Sequence, residues 1–172
     1  MRFSHFSAIC IAFVGLVNIG NAQDINDARV LSNLRACYEA QTTVDGMRAC
    51  IGQAALACQD ETEGGYSTLG LSQCQWAEAK AWDVLLNEAY GAAMAAAKGG
   101  DDADRDTPEF ARRAETLRAM QRAWIPFRDA KCAAEYAKWG MGSMRHIAAS
   151  GCLMQTNAEQ TIQLWAMFDA FR

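Results

Sequence analysis

The sequence has little proline and lacks the alternating apolar and polar pattern of β-strands. Among its 172 residues, only Pro108 and Pro126 are prolines, and alanine is abundant. Strands show a hydrophobic period of two residues and proline interrupts helices, so these two features favour helices throughout. Without predicted strands, no glycine-rich loop follows a strand to cradle a phosphate. The sequence therefore predicts an all-α protein and argues against a nucleotide-binding α/β enzyme.

Histidine is also scarce. His5 lies in a segment that we expect to be removed, which leaves His146 as the single histidine of the mature chain. A multi-histidine metal site is thereby excluded, and a Ser-His-Asp triad would have to form around one residue in a glycine-rich loop. A glycosidase-like carboxylate pair stays open, although most acidic residues lie in predicted turns and on solvated helix faces. We predict no enzyme activity, no metal and no cofactor.

Long apolar runs are absent except near the amino terminus. Arg2 precedes an apolar run over residues 8–19, and the small residues 20–22 complete the pattern of a secretory signal peptide. The run is short for a membrane span, so a retained anchor is the less favoured alternative. We therefore assign residues 1–22 to a signal peptide and 23–172 to a single domain without a membrane span. The mature protein is expected to be periplasmic or secreted.

Cysteine, in contrast, is plentiful. Seven cysteines occur, and Cys10 lies in the predicted signal peptide. The close C-x-x-C pairs typical of zinc sites are missing, and an even number of cysteines in an exported chain indicates disulfides. Six cysteines allow 15 connectivities, so the pairing stays open. Nearest-neighbour pairing would join Cys37 with Cys50, Cys58 with Cys74 and Cys132 with Cys152, whereas Cys74 with Cys132 is the main rival.

Helical periodicity divides the chain into a few long segments. Helices are predicted over about residues 25–40, 46–57, 72–98, 107–138 and 147–171, with a capping box at 156–159 that could divide the last into two. An acidic turn at 101–106 joins the two long helices, which should form an antiparallel hairpin. We therefore predict a disulfide-linked bundle of about four to six helices built around that hairpin.

The hairpin register predicts contacts between its two helices. If residue 103 is the tip, Asp83 lies near Ala123 and faces Arg122, with Arg128 as a second possible partner. A half-buried carboxylate needs such a partner, because burying it unpaired costs several kcal/mol. Arg122 should therefore matter for stability. Aromatic residues at helical spacing are expected in the core: Trp76, Trp82, Tyr90, Trp124, Phe127 and Trp165.

Three stretches of the sequence resemble a known family. They are WDVLLNEAY (82–90), MQRAWIPFRDAKC (120–132) and Cys152 with Thr156 after it. In this order they resemble the LprI-like lysozyme-inhibitor family, over a core of about 74–165. The residues that match its motifs are Trp82, Asp83, Asn87, Tyr90, Arg122, Trp124, Phe127 and Arg128. The chain departs from the family pattern by its additional segment 23–73 and by Gln160, where members often carry arginine.

The resemblance implies an exported, helical, disulfide-linked protein of the bacterial cell envelope, and for the family's namesake it implies inhibition of lysozyme. The net charge of the chain is −4, and loss of Arg2 leaves 15 basic and 20 acidic residues, a net charge of −5. An acidic surface disfavours nucleic acid and anionic membranes and suits a basic partner such as c-type lysozyme. Inhibition would occur by occlusion of the sugar cleft.

Exposed loops are the expected contact sites. The candidate partner-binding residues are Asp60, Glu61, Glu63, Met141 and His146. Met141 and Met144 either form a contact surface or fold back onto the helix ends. A periplasmic scaffold or adaptor protein unrelated to lysozyme is the alternative function. The oligomeric state is not predicted.

Overall fold

A computed structural model describes residues 25–169, and the predicted signal peptide lies outside them. The described residues form α-helices without strands, as predicted. The helices are α1 (Asp27–Glu39), α2 (Val44–Ala49), α3 (Gln53–Glu61), α4 (Thr68–Ala103), α5 (Arg113–Ala137) and α6 (Met144–Asp169). None of these helices is both long and apolar enough to cross a membrane.

The second predicted helix, 46–57, is wrong, because it is divided into α2 and α3. Thr43 caps α2 by accepting a hydrogen bond from the Gly46 amide at 3.1 Å. The chain then turns at Gly52, whose φ is +88°. A side chain disfavours this left-handed conformation by about 1–2 kcal/mol, so glycine is suited to the break.

Helix α4 is longer at both ends than predicted. Its amino-terminal cap is Ser67, which accepts from the Gly70 amide at 3.1 Å, so the predicted start at Ser72 is wrong. The helix also continues through Gly99 and Gly100, where the sequence pattern predicted an end. Glycine in a helix costs only about 1 kcal/mol relative to alanine, which tertiary packing can offset.

Helix α5 begins later than its sequence signals suggested. Thr107 and Pro108 lie in the connection, and the helix starts at Arg113. The Asp101 carboxylate accepts hydrogen bonds from the backbone amides of Arg113 at 2.8 Å and Ala114 at 2.9 Å. A carboxylate from the preceding helix therefore replaces the predicted local cap.

The last region is one helix rather than two. Thr156 lies inside α6 and is buried, and its hydroxyl accepts a hydrogen bond from Lys131 Nζ at 3.1 Å. The Thr156 side chain therefore contacts α5 and does not cap a helix, which the predicted capping box would have required. The predicted helix over 107–138 likewise continues through Pro126 without ending.

Helix α6 lies against both α4 and α5 and packs most extensively against α4. The two helices are parallel. Ser150 Oγ donates to Gln75 Oε1 at 2.8 Å, and Asn157 Nδ2 donates to the Ala79 carbonyl at 3.0 Å. Helix α5 is antiparallel to both, as the predicted hairpin requires. The principal partner of α4 is nevertheless α6, which the hairpin prediction did not include.

The short helices α1 and α3 cover the first half of α4, whereas α2 packs against α6. Trp82 is fully buried there, and its ring meets that of Tyr38 edge to face at a centroid distance of 5.7 Å. Val30 and Leu34 pack into the same core cluster. A second cluster, around Leu86 and Leu117, joins α4 to α5 and α6.

Three disulfides connect neighbouring helices, with the nearest-neighbour pairing. They are Cys37–Cys50, Cys58–Cys74 and Cys132–Cys152. The sequence separations are 13, 16 and 20 residues, and closing loops of this size stabilises a fold by about 3 kcal/mol each in the chain-entropy account.

The predicted hairpin register is shifted, because α4 extends to Ala103 and the following connection is long. Asp83 therefore pairs with Arg128, at 3.7 Å between carboxylate and guanidinium. Arg128, the second of the two predicted partners, is therefore confirmed, and the pairing of Asp83 with Arg122 is wrong. Cys74 is bonded to Cys58 and Cys132 to Cys152, so the rival Cys74–Cys132 disulfide is wrong.

Two aromatic residues expected in the core are exposed. Trp76 retains 49% of its accessible surface and Phe127 retains 61%. The buried face of α4 includes Cys74, Glu78 and Trp82, and Trp76 lies outside this face. Phe127 points away from the buried side of α5 for the same reason.

Candidate functional site

An open groove of about 780 Å³ lies where the first turns of α1 and α4 approach the ends of α5 and α6. Trp76 of α4 and Tyr136 of α5 supply aromatic surface, and Leu69 at the start of α4 is 65% exposed. More than half of the lining residues are polar or charged, so the groove combines exposed apolar surface with many hydrogen-bonding groups. We call it the Trp76 groove.

The groove brings two predicted contact loops together. Glu63 comes from the connection between α3 and α4, and His146 comes from the first turn of α6, yet both line the Trp76 groove. The two residues are far apart in sequence, so only the packing of the helices makes them neighbours.

The other three predicted contact residues do not line the groove. The Tyr66 hydroxyl donates a hydrogen bond to Asp60, and this bond raises the pKa of Tyr66. Glu61 forms an ion pair with Arg29 at 2.8 Å. Met141 is 96% exposed in the turn between α5 and α6, so it does not fold back onto the helix ends.

A compact cluster surrounds His146. Its ring meets Tyr136 edge to face with the centroids 5.5 Å apart, and Arg145 Nε donates to His146 Nε2 at 3.3 Å. The Arg145 guanidinium also lies 5.3 Å from the centre of the Tyr136 ring. These contacts hold His146 beside a cation, whereas a catalytic triad would hold it beside a carboxylate.

The family-motif residues on α4 and α5 contact other residues of the helical bundle. Trp82 lies in the core, and Asn87 Nδ2 donates to the Asp83 carbonyl at 2.8 Å one helical turn earlier. The Arg128 guanidinium lies 5.1 Å from the centre of the half-buried Trp124 ring. Tyr90 is half-buried against the second core cluster. These side chains do not line the Trp76 groove.

Glu78 is a buried acid that the sequence reasoning missed. Its oxygens accept from the backbone amides of Gly52 at 2.7 Å and Ala55 at 2.6 Å, and from Trp82 Nε1 at 2.9 Å. Burial raises the pKa of Glu78, and these hydrogen bonds partly oppose the shift. The sequence did indicate its burial, because residue 78 lies on the apolar face of α4, four residues before Trp82.

Glu78 therefore satisfies the first amides of α3, whose capping residue Gly52 has no side chain to do so. All the groups that donate hydrogen bonds to Glu78 are backbone amides or the Trp82 indole, so we assign Glu78 a structural role. Within residues 25–169, no group of three or more metal-ligating side chains is positioned to hold an ion.

Together, the described residues define a class: a small all-helical domain with three disulfides and an open aromatic groove. The family model for the lysozyme inhibitor LprI matches residues 58–164. The chain therefore belongs to the LprI lysozyme-inhibitor family, as its sequence motifs suggested. Helices α1 and α2 lie outside the matched region.

The chain is also similar to an uncharacterized protein of Rhizobium meliloti (strain 1021). The two are 30% identical over 105 residues, which cover 60% of this chain and 76% of the relative. No solved structure matches the chain.

Proposed function

We propose that this protein is exported to the bacterial cell envelope, where it binds and inhibits a c-type lysozyme without catalysing a reaction. Membership of the LprI family is the observation that carries the proposal. Three disulfides support export, because disulfides form and persist in oxidising compartments.

The Trp76 groove and the loops beside it are the proposed contact surface. Exposed aromatic residues are enriched among the residues that dominate binding energy, and Trp76 is well placed for this role. Glu63 adds negative charge to the groove, and Met141 extends beyond it from the neighbouring turn. Blocking the sugar cleft requires only this surface, so none of these residues needs to act as an acid, base or nucleophile.

The test is lysis of bacterial cell walls by c-type lysozyme in the presence of excess purified mature protein. We expect inhibition, and we expect Trp76→Ala to weaken it at least tenfold. The matched control is Phe110→Ala, which removes another exposed aromatic ring from the connection between α4 and α5.

Unchanged lysis at a large excess of the wild-type protein would contradict the proposal and favour a scaffold or adaptor role. Equal effects of the two substitutions would instead place the contact surface elsewhere. Asp60 and Glu61, in the last turn of α3 and outside the groove, would then be the next residues to replace.

A further inference from the structure

The outer face of α5 is apolar although it is exposed. Six small apolar residues recur along it at alternating spacings of four and three residues, and every one is exposed. They are Ala119, Ala123, Pro126, Ala130, Ala133 and Ala137. Phe127 lies beside the middle of this row and is 61% exposed. We call this surface the α5 seam.

The seam differs from an ordinary solvated helix face. A surface helix normally packs one apolar stripe and presents charged residues on the opposite side. The inward side of α5 carries Leu117 and Cys132, which are buried. The seam lies on the opposite side and has the 3.5-residue spacing of a helix that packs against another helix.

Charged residues flank the seam in a self-complementary arrangement. Arg122 and Asp129 are both exposed and lie seven residues apart, so they occupy the same edge of the seam. Within the chain, one oxygen of Asp129 already pairs with Arg128 at 2.8 Å, so Arg122 of a second copy would share this carboxylate. A second α5 packed antiparallel, with the two-fold axis near Pro126, would bring Arg122 against the partner's Asp129. Because a two-fold axis relates the two chains, this ion pair would form twice in the dimer.

The same two-fold rotation also places other residues of the seam opposite apolar residues of the partner. Ala119 would face the partner's Ala133, and the two copies of Phe127 would meet near the axis. A parallel arrangement would instead oppose identical charges at Arg122. We propose that the α5 seam is a dimer interface, in which a second copy of this chain packs α5 antiparallel to α5.

The size of the seam sets the expected strength of the dimer. The row from 119 to 137 is about 27 Å long at the helical rise per residue. Small residues allow the helix backbones to approach closely, but one helix pair buries an area at the low end of specific interfaces. The dimer should therefore be reversible and concentration-dependent. This proposal is independent of lysozyme inhibition.

Sedimentation velocity of the oxidised mature protein over a range of concentrations tests the interface. We expect a monomer–dimer equilibrium in the wild type. Arg122→Asp and Asp129→Arg should each weaken it at least tenfold, because each places like charges opposite one another twice. The double variant Arg122→Asp/Asp129→Arg should restore dimerisation.

Arg118→Asp is the matched control, because Arg118 is exposed on the same edge of α5 as Asp129 but would face the partner's uncharged Ala134. It should leave the equilibrium within about twofold of the wild type. Circular dichroism verifies that every variant is folded. A wild type that stays monomeric at the highest concentration, or a dimer that both single charge reversals leave intact, would overturn the proposal.

Discussion

Glu78 shows how a single buried charge can organise a small helical protein. Its side chain is fully buried, and its three hydrogen bonds come from two amides near the start of α3 and one indole. An unpaired carboxylate at such a position would cost several kcal/mol. The three donors compensate for that cost and connect α3 to α4 at a point where Gly52 offers no capping side chain.

Replacing Glu78 with alanine should lower the free energy of unfolding by about 3 kcal/mol, because it leaves buried donors unsatisfied and opens a cavity. Urea denaturation with the disulfides intact measures this. Glu88→Ala is the control, since Glu88 makes a bidentate but solvent-accessible ion pair with Arg35 that should contribute about 1 kcal/mol. Equal losses in the two variants would contradict the assigned role.

The raised pKa of Glu78 also has a defined effect on stability. Its contribution is fully present below the unfolded pKa of a glutamate, about 4.3, and decreases as the pH rises through the higher folded pKa. A carboxylate that gains hydrogen bonds without deep burial has a lowered pKa and therefore the opposite effect on stability. Asp101 of α4, which accepts from the first amides of α5, is such a carboxylate.

At the scale of elements, α5 depends on a cap supplied by α4. Hydrogen bonds from the amides of Ala114 and Arg113 lower the pKa of Asp101, although its side chain is partly exposed. A lowered pKa means that this stabilisation is present above the unfolded pKa of about 3.9 and is lost as the pH falls through the folded pKa.

Asp101→Ala should therefore lower the melting temperature at pH 7, and the difference from the wild type should shrink below about pH 4. Thermal unfolding followed by circular dichroism from pH 2 to 8 measures both effects. Asp106→Ala, in the connection that follows α4, is the control and should have little effect at any pH. A difference independent of pH would mean that the carboxylate is not the cap.

Helix boundaries followed the local signals only where no distant residue competed. Thr43 caps α2 through its own side chain, as a threonine just before a helix commonly does. In contrast, Thr107 and Pro108 do not start a helix, because Asp101 satisfies amides further along the chain. Thr156 does not start one either, because α6 uses it in a contact with Lys131 of α5.

At the scale of the whole molecule, the excess of acidic residues should act on association. Long-range attraction to a basic partner raises the association rate and is screened by salt. The described surface includes many ion pairs, so the net charge of the chain, rather than any one contact, should dominate this steering.

We therefore expect the association rate constant with c-type lysozyme to fall at least tenfold between about 0.01 and 0.5 M salt. Stopped-flow fluorescence measures it, and the dissociation rate should change much less. Uncharged sucrose at matched viscosity is the control. An association rate that does not respond to salt would show that charge does not guide the encounter.

The sequence by itself determined the fold class, because helical periodicity and scarce proline are local properties of the chain. It also contained enough of the family motifs to identify the family. The nearest-neighbour disulfides could be proposed from sequence for a related reason, since each joins cysteines that flank a turn between consecutive helices.

Only the tertiary structure decided which residues meet across the bundle. It made α6 the main partner of α4, replaced Arg122 by Arg128 beside Asp83, and exposed Trp76 and Phe127. These outcomes depend on helix phase and register, and a shift of a few residues changes which side chains face each other. The same packing joins Glu63 and His146 in the Trp76 groove, a juxtaposition that no local pattern of the sequence contains.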